Sequence, residues 1–305
     1  MNTAVLFLVF NRPDTTREVF ASIRRIKPPR LYVAADGPRE SREHEAEQVK
    51  RVRQIATSID WPCELTTLFR DENLGCKAAI SEAISWFFEH EEEGVILEDD
   101  CLADDEFFHF CEQMLDRYRD DQRVWMITGN NFQGENWRGE AAYYFSRYSH
   151  IWGWASWRRA WQHYDGDLSF WPGWKESDAW KSVCPDAGER RYWSRAFSRS
   201  YESRVDSWAY PWMASVWHGS GLTVTPNRNL VTNIGFGTEA THTRSANARL
   251  LVPLAPLGQI THPAEVSACA EADAYVFKHV FSDTFLELLL RAPSALWAYI
   301  VGRLK

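Results

Sequence analysis

The chain has 305 residues, 45% of them hydrophobic and 25% charged, an ordinary balance for a soluble globular protein with ample material for a core. A net charge of −8 argues against a general nucleic-acid binder while permitting local basic pockets. Six cysteines without CxxC or other metal-ligand spacing point to reduced thiols in the cytoplasm, and no run reaches the roughly 18 apolar residues of a membrane-spanning helix.

Residues 4–10 read as a buried strand that stops at Asn11-Arg12-Pro13, too short and lacking the basic flank of a signal peptide. A helix is expected from Thr15, with Thr15 and Glu18 at capping-box spacing and Val19, Phe20, Ile23 and Ile26 as its apolar stripe. Residues 31–35 form a second strand ending at Asp36-Gly37-Pro38, and a charged helix follows with Val49, Val52, Ala56 and Ile59 on one face. A third strand over 65–69 runs into Arg70 and then Asn73-Leu74-Gly75. The helix over 77–90 leads to Gly94-Val95-Ile96-Leu97, a fourth strand that closes on Glu98-Asp99-Asp100. Phe107, Phe108, Cys111, Met114, Leu115 and Tyr118 mark the next helix, and 124–128 a fifth strand.

Three carboxylates at the end of a buried strand repel one another and resist desolvation. A divalent cation is the simplest way to hold them. Hard carboxylate oxygens suit Mg²⁺ or Mn²⁺, which keep water and substrate phosphates as further ligands. The competing reading is a solvated acidic turn, because Asp104 and Asp105 also favour a helix N-terminus. Alternating strands and helices predict an α/β fold, a mostly parallel sheet with helices on both faces, whose ligands bind beyond the carboxyl ends of the strands. Asn11-Arg12, Asp36-Gly37, Arg70 to Lys77 and Glu98 to Asp100 fall at that rim one after another. Arg12, Lys77 and the acidic triplet together suit a phosphate-bearing ligand bridged through a metal. No GxGxxG follows the first strand and no GxxxxGK[ST] occurs, so dinucleotide-binding and P-loop readings are set aside.

On Asn11-Arg12-Pro13, Asp36-Gly37-Pro38, Asn73-Leu74-Gly75 and Glu98-Asp99-Asp100, in that order, residues 4–130 resemble the nucleotide-sugar-binding part of GT-A glycosyltransferases. The Glu-Asp-Asp form of the DxD motif is similar to that of the N-acetylglucosaminyltransferase I branch and its bacterial relatives. The resemblance implies a GT-A, Rossmann-like sheet. It places Arg12 and Asp36 at the base and ribose, with Asn11 and Lys77 in the same nucleotide-sugar set. It puts Glu98 and Asp99 on the ribose and metal waters, and Asp100 on Mn²⁺ or Mg²⁺.

Thirteen of the 16 tryptophans lie between Trp125 and Trp217, which marks a second half of different chemistry. Indoles bury large areas, so most are expected in the core. In the run from His150 to Trp157, Gly153 permits a turn, and Trp157, Trp161 and Tyr164 lie at helical spacing. The resemblance, looser over 150–243, implies that Trp152, Gly153 and Trp154 sit beside the donor sugar. A basic helix over 189–204 reads as a solvated face. Val205-Asp206-Ser207-Trp208 resembles the segment where inverting members hold their general base. That gives Asp206 the role, although Ser207 stands where the family has a second carboxylate. Asp206 or Ser207 also suits the N-cap of the helix that follows. A strand and glycine loop over 224–237 precede His242, a candidate for the diphosphate or metal, with Glu239 as the reserve base. Two apolar helical stretches, 284–290 and 294–304, either dock on the body or lie on a membrane surface, and neither can span a bilayer.

The expected organisation is a nucleotide-sugar-binding half over 1–130, an aromatic-rich acceptor half over 131–250 and a C-terminal helical extension over 251–305. The expected activity is inverting, metal-dependent transfer of a sugar from a nucleoside diphosphate donor, with a UDP-sugar favoured, to a hydroxyl of a glycan or lipid-linked glycan. Surface polysaccharide synthesis in the cytoplasm, or at the inner face of the membrane, is the expected setting. A non-catalytic carbohydrate-binding module accounts for the tryptophans but leaves the acidic strand end unexplained. A metal-dependent nucleotidyltransferase or phosphohydrolase is the other alternative, and the glycine-rich arginine loop of sugar-nucleotide pyrophosphorylases is absent.

Overall fold

The computed structural model describes residues 1–235 and 252–282. β1 (Ala4–Val9) is buried along its whole length, as an interior strand covered on both faces must be. β2 (Arg30–Ala35) and β4 (Glu93–Glu98) flank it in parallel, and β3 (Glu64–Phe69) adds a more exposed parallel edge beyond β2. Successive side chains of a strand point to opposite faces. Val5, Phe7 and Val9 therefore meet α1 (Pro13–Ile26), α2 (Glu45–Ala56) and α4 (Asp105–Tyr118) in one core. Ala4, Leu6 and Leu8 meet α3 (Cys76–His90) and the tryptophan layer in the other.

The capping box expected at Thr15 and Glu18 does not form. The helix begins earlier, at Pro13, because proline carries the dihedral of a first turn, and Arg12 stands at the cap. The hydroxyls of Thr15 and Thr16 instead donate to the carbonyl oxygen of Arg12. Asp104 does cap its helix, accepting the amide of Glu106.

β5 (Cys101–Ala103) follows the acidic triplet directly and leaves the main sheet. β6 (Val124–Thr128) forms where expected but is not the neighbour of β4. After β7 (Tyr143–Ser146), the chain returns as β8 (Trp154–Trp157), which lies between β4 and β6 and runs antiparallel to both. The helical spacing read across Trp157, Trp161 and Tyr164 is thus overturned: only α5 (Arg158–Trp161) is helical there. A strand buried on both faces shows no alternation, so periodicity cannot separate it from a buried helix.

Short helices α6 (Trp171–Lys175) and α7 (Asp178–Val183), then α8 (Ala187–Tyr201) and α9 (Ala209–His218), carry the aromatic layer. β9 (Leu222–Pro226) joins β6 in parallel and β7 antiparallel. The completed eight-stranded sheet has the order β3-β2-β1-β4-β8-β6-β9-β7. β10 (Val231–Asn233) pairs with β5 in a separate two-stranded ribbon, and α10 (Ala270–Val276) closes on β7. Most tryptophans of the second half are core, as expected, with Trp154, Trp193, Trp208 and Trp212 fully enclosed. Truncating one such indole to alanine costs about 3–5 kcal/mol. Among the described residues, no helix is long and apolar enough to cross a membrane.

Candidate functional site

β1 and β4 are neighbours, yet β2 and β3 lie to one side and β8 to the other, so the strand order reverses between them. In an open α/β sheet that reversal opens a crevice at the carboxyl ends of the strands. A cavity of about 740 Å³ lies there. Arg12 enters it from the end of β1, Asp36 from the end of β2, and Glu98, Asp99 and Asp100 from the end of β4. Its far wall is built by Phe132, His150, Trp152 and Trp208, and Asp206 also lines it.

The acidic triplet is held by a guanidinium. Arg12 pairs through Nη2 with Asp99 and donates through Nη1 to Asp100 Oδ2 at 3.0 Å. The amide of Phe10 donates to the other oxygen of Asp99 at 3.2 Å. The guanidinium thus holds together carboxylates for which the sequence suggested a divalent cation as the simplest partner. Burial lowers the affinity of Arg12 for its proton, but Asp99 and Asp100 outweigh it and hold the group firmly charged. Burial pushes Glu98 and Asp99 above the usual carboxylate range. For Glu98 the nearby Asp100 and Asp99 add to this, whereas for Asp99 the charge of Arg12 opposes it.

β10 passes over the turn. Ile234 donates its amide to the carbonyl of Asp100 at 2.8 Å, and Gly235 lies against the ion pair. A Cβ at position 235 would stand 2.4 Å from Asp100 Oδ2 and 2.6 Å from Arg12 Nη1, so any larger residue must displace one of the two side chains.

Among the described residues, no three His, Cys, Asp or Glu side chains converge as a metal cage. Asp100 is a single hard-oxygen donor whose side chain is 15% exposed at the cavity. That donor set fits a Mg²⁺- or Mn²⁺-type ion taking its other ligands from water and phosphate, and does not fit an all-protein site.

Asp36 anchors the Asn73-Leu74-Gly75 loop. Its carboxylate accepts the amides of Gly37, Leu74 and Gly75 and the side chain of Asn73. Asp206 lies at the N-terminus of α3, where Oδ2 accepts the amide of Cys76 at 3.0 Å and Oδ1 that of Lys77 at 2.8 Å. It therefore caps a helix, though not the one that follows it in sequence; at α9, which begins at Ala209, the hydroxyl of Ser207 accepts the first amide at 3.3 Å. Burial, then Glu98 and Asp206, push the Cys76 thiol up to about 12, which leaves it a neutral thiol and no nucleophile.

Other expected residues stand apart from the cavity. Asn11 donates to Glu45 at 2.8 Å, and Lys77 Nζ lies 3.3 Å from Asp167. Trp152 lines the cavity, but Trp154 is buried in β8, stacked on Trp208. Gly153 makes the turn between them at φ +66°, against Val231. His242 and Glu239 fall outside the described residues, as do the two C-terminal apolar stretches.

Sequence reasoning missed Ser149, His150 and Trp208 as wall residues. Ser149 and His150 are 3% and 5% exposed, and Ser149 Oγ and His150 Nε2 have no hydrogen-bond partner among the described residues. Burial alone lowers His150 to about 3, so its imidazole is neutral. The signals in the sequence were the place of Ser149 and His150 at the head of the aromatic run and that of Trp208 two residues after Asp206.

No protein-family model and no curated protein matches the sequence. Among solved structures, the chain is similar to HddC from Yersinia pseudotuberculosis, at 10% identity and a TM-score of 0.32, over 56% of this chain and 85% of that one. A UDP-glucose pyrophosphorylase complexed with UDP-glucose aligns at 13% identity and a TM-score of 0.25, over 48% and 62% of the two chains. Overlaps of this size carry no functional argument.

Proposed function

We propose that this chain is an inverting, metal-dependent glycosyltransferase that moves a sugar from a nucleoside diphosphate to a hydroxyl of a glycan acceptor, in surface polysaccharide synthesis. The observation that supports this reading best is one cavity at the strand-order reversal that gathers Arg12, Asp36, the Glu98-Asp99-Asp100 turn and Asp206 against an aromatic wall. Asp100, together with the donor's diphosphate, would hold Mn²⁺ or Mg²⁺, which when bound neutralises charge growing on the leaving group.

The acceptor oxygen attacks the anomeric carbon, the bond to the diphosphate breaks on the opposite side, and the acceptor proton passes to Asp206. Two backbone amides fix that carboxylate, and its remaining lone pairs are available to the hydroxyl. Phe132, Trp152 and Trp208 keep water from the anomeric carbon, where hydrolysis competes with transfer.

A thermal-shift screen of nucleoside diphosphates and their sugars, with and without Mn²⁺, tests the reading. A ligand at a hundred times its dissociation constant adds about 2.7 kcal/mol, a rise of several degrees. The expected hit needs Mn²⁺, and turnover with its sugar releases the nucleoside diphosphate. Release of pyrophosphate or phosphate would assign the site to nucleotidyl transfer or phosphate hydrolysis instead. Glycan binding indifferent to both nucleotide and Mn²⁺ would make the protein a binding module.

A further inference from the structure

The ion pair between Arg12 and the acidic turn bears on the order in which ligands enter. Arg12 supplies the positive charge that a metal would otherwise bring, and it holds an oxygen of Asp100, the one carboxylate assigned to the metal. The arrangement is closely fitted: a Cβ at position 235 would meet both Asp100 Oδ2 and Arg12 Nη1, and Phe10 fixes the remaining oxygen of Asp99. A divalent ion arriving alone meets an Asp100 whose Oδ2 is already taken by the guanidinium, with that fixed cation beside it, although Asp99 and Asp100 together outweigh the single charge of Arg12. Repulsion between the two positive charges is strong at such range in a partly desolvated site. A diphosphate changes this balance, because its negative charge offsets both cations and its oxygens offer Arg12 a second bidentate partner.

We infer that Arg12 is a positioning residue that bars Asp100 from binding a divalent cation until a nucleoside diphosphate is present. Arg12 then shares its fork between Asp99 and the diphosphate, leaving Asp100 to the ion. This inference rests on the glycosyltransferase reading for the identity of the anion and for Asp100 as the ligand of the ion. The barrier itself follows from the Arg12–Asp100 contact.

The test is Mn²⁺ binding followed by electron paramagnetic resonance, a readout that needs no turnover. Wild type, Arg12→Gln and the double variant Arg12→Gln/Asp99→Asn are titrated with Mn²⁺ alone, then with Mn²⁺ plus UDP, GDP or dTDP. The double variant removes the buried Asp99 charge that Arg12→Gln would leave unpaired, so a folded protein is available if the single variant fails. The expected result is that wild type takes up Mn²⁺ only with a nucleoside diphosphate, while a folded Arg12 variant binds Mn²⁺ alone at least tenfold more tightly than wild type. Equal affinity of wild type and the variants for Mn²⁺ alone overturns the barrier and leaves the proposed function standing. Failure of wild type to take up Mn²⁺ with any of the three nucleotides, alongside no nucleotide binding in the thermal screen, removes the functional reading and this inference with it.

Discussion

A buried aspartate such as Asp99 keeps its charge only where groups of opposite polarity stand in contact with it, and here Arg12 and the amide of Phe10 supply them. His150 takes the other course and stays neutral. The free-chain value of histidine is about 6.5, while burial lowers His150 to about 3. Between those values the unfolded chain binds a proton that the folded chain does not, so the contribution of His150 to stability falls as pH drops below 6.5. From pH 7 to pH 5 the loss is about 2 kcal/mol. Glu98 and Asp99, held above the carboxylate range, respond in the opposite sense, so the informative comparison is between two proteins at each pH. His150→Phe removes an atom that has no partner among the described residues and should leave stability at pH 7 unchanged or higher. Its advantage over wild type, read from urea midpoints, should grow by about 2 kcal/mol at pH 5. A constant difference across that range would show that His150 takes up its proton as readily in the fold as in the unfolded chain.

Elements, more than single residues, bring the catalytic candidates together. Asp206 reaches the cavity because the N-terminus of α3 presents two amides to its carboxylate. Two substitutions separate anchoring from chemistry. Asp206→Asn keeps one of the two accepting oxygens and cannot take a proton, so turnover should fall by about 10²-fold or more with donor affinity close to wild type and a melting temperature lowered by no more than that of Asp206→Ala. Asp206→Ala should lose the same activity and about 1 kcal/mol of stability besides, the usual cost of an N-cap. Full turnover in Asp206→Asn would remove it as the base. The β5–β10 ribbon does corresponding work at the acidic turn. Gly235→Ala forces Asp100 or Arg12 to move, since the added Cβ would lie within 2.6 Å of both. Mn²⁺-dependent nucleotide affinity should drop at least tenfold by calorimetry while the circular dichroism of the fold stays unchanged. Undiminished affinity would mean that the turn tolerates displacement and is not the seat of the ion.

For the molecule as a whole, the parallel part of the sheet was legible in the sequence because its strands are apolar runs that end in polar residues a core would reject. Glu98-Asp99-Asp100 and Asp36-Gly37 announced the rim of the crevice for that reason. The antiparallel insertion of β8 was not legible. Trp154 and Trp157 bury both faces of the strand, and the alternation that marks a half-exposed strand is missing. Long-range pairings were hidden for a different reason. That Asp206 would cap α3, or that Arg12 would clamp Asp99 and Asp100, depends on which strand ends meet in space, and local spacing carries no such information. Asn11 and Lys77 show the converse, being polar residues at the expected rim whose side chains are paired with Glu45 and Asp167.

The most direct measurement is anomalous diffraction from a crystal of the whole chain grown with Mn²⁺ and the nucleoside diphosphate selected by the thermal screen. A manganese peak is expected about 2.1 Å from an oxygen of Asp100, bridging to the diphosphate, with Arg12 turned toward the same phosphates. A manganese ion bound elsewhere, or a nucleotide lying outside the crevice between β1 and β4, would contradict it.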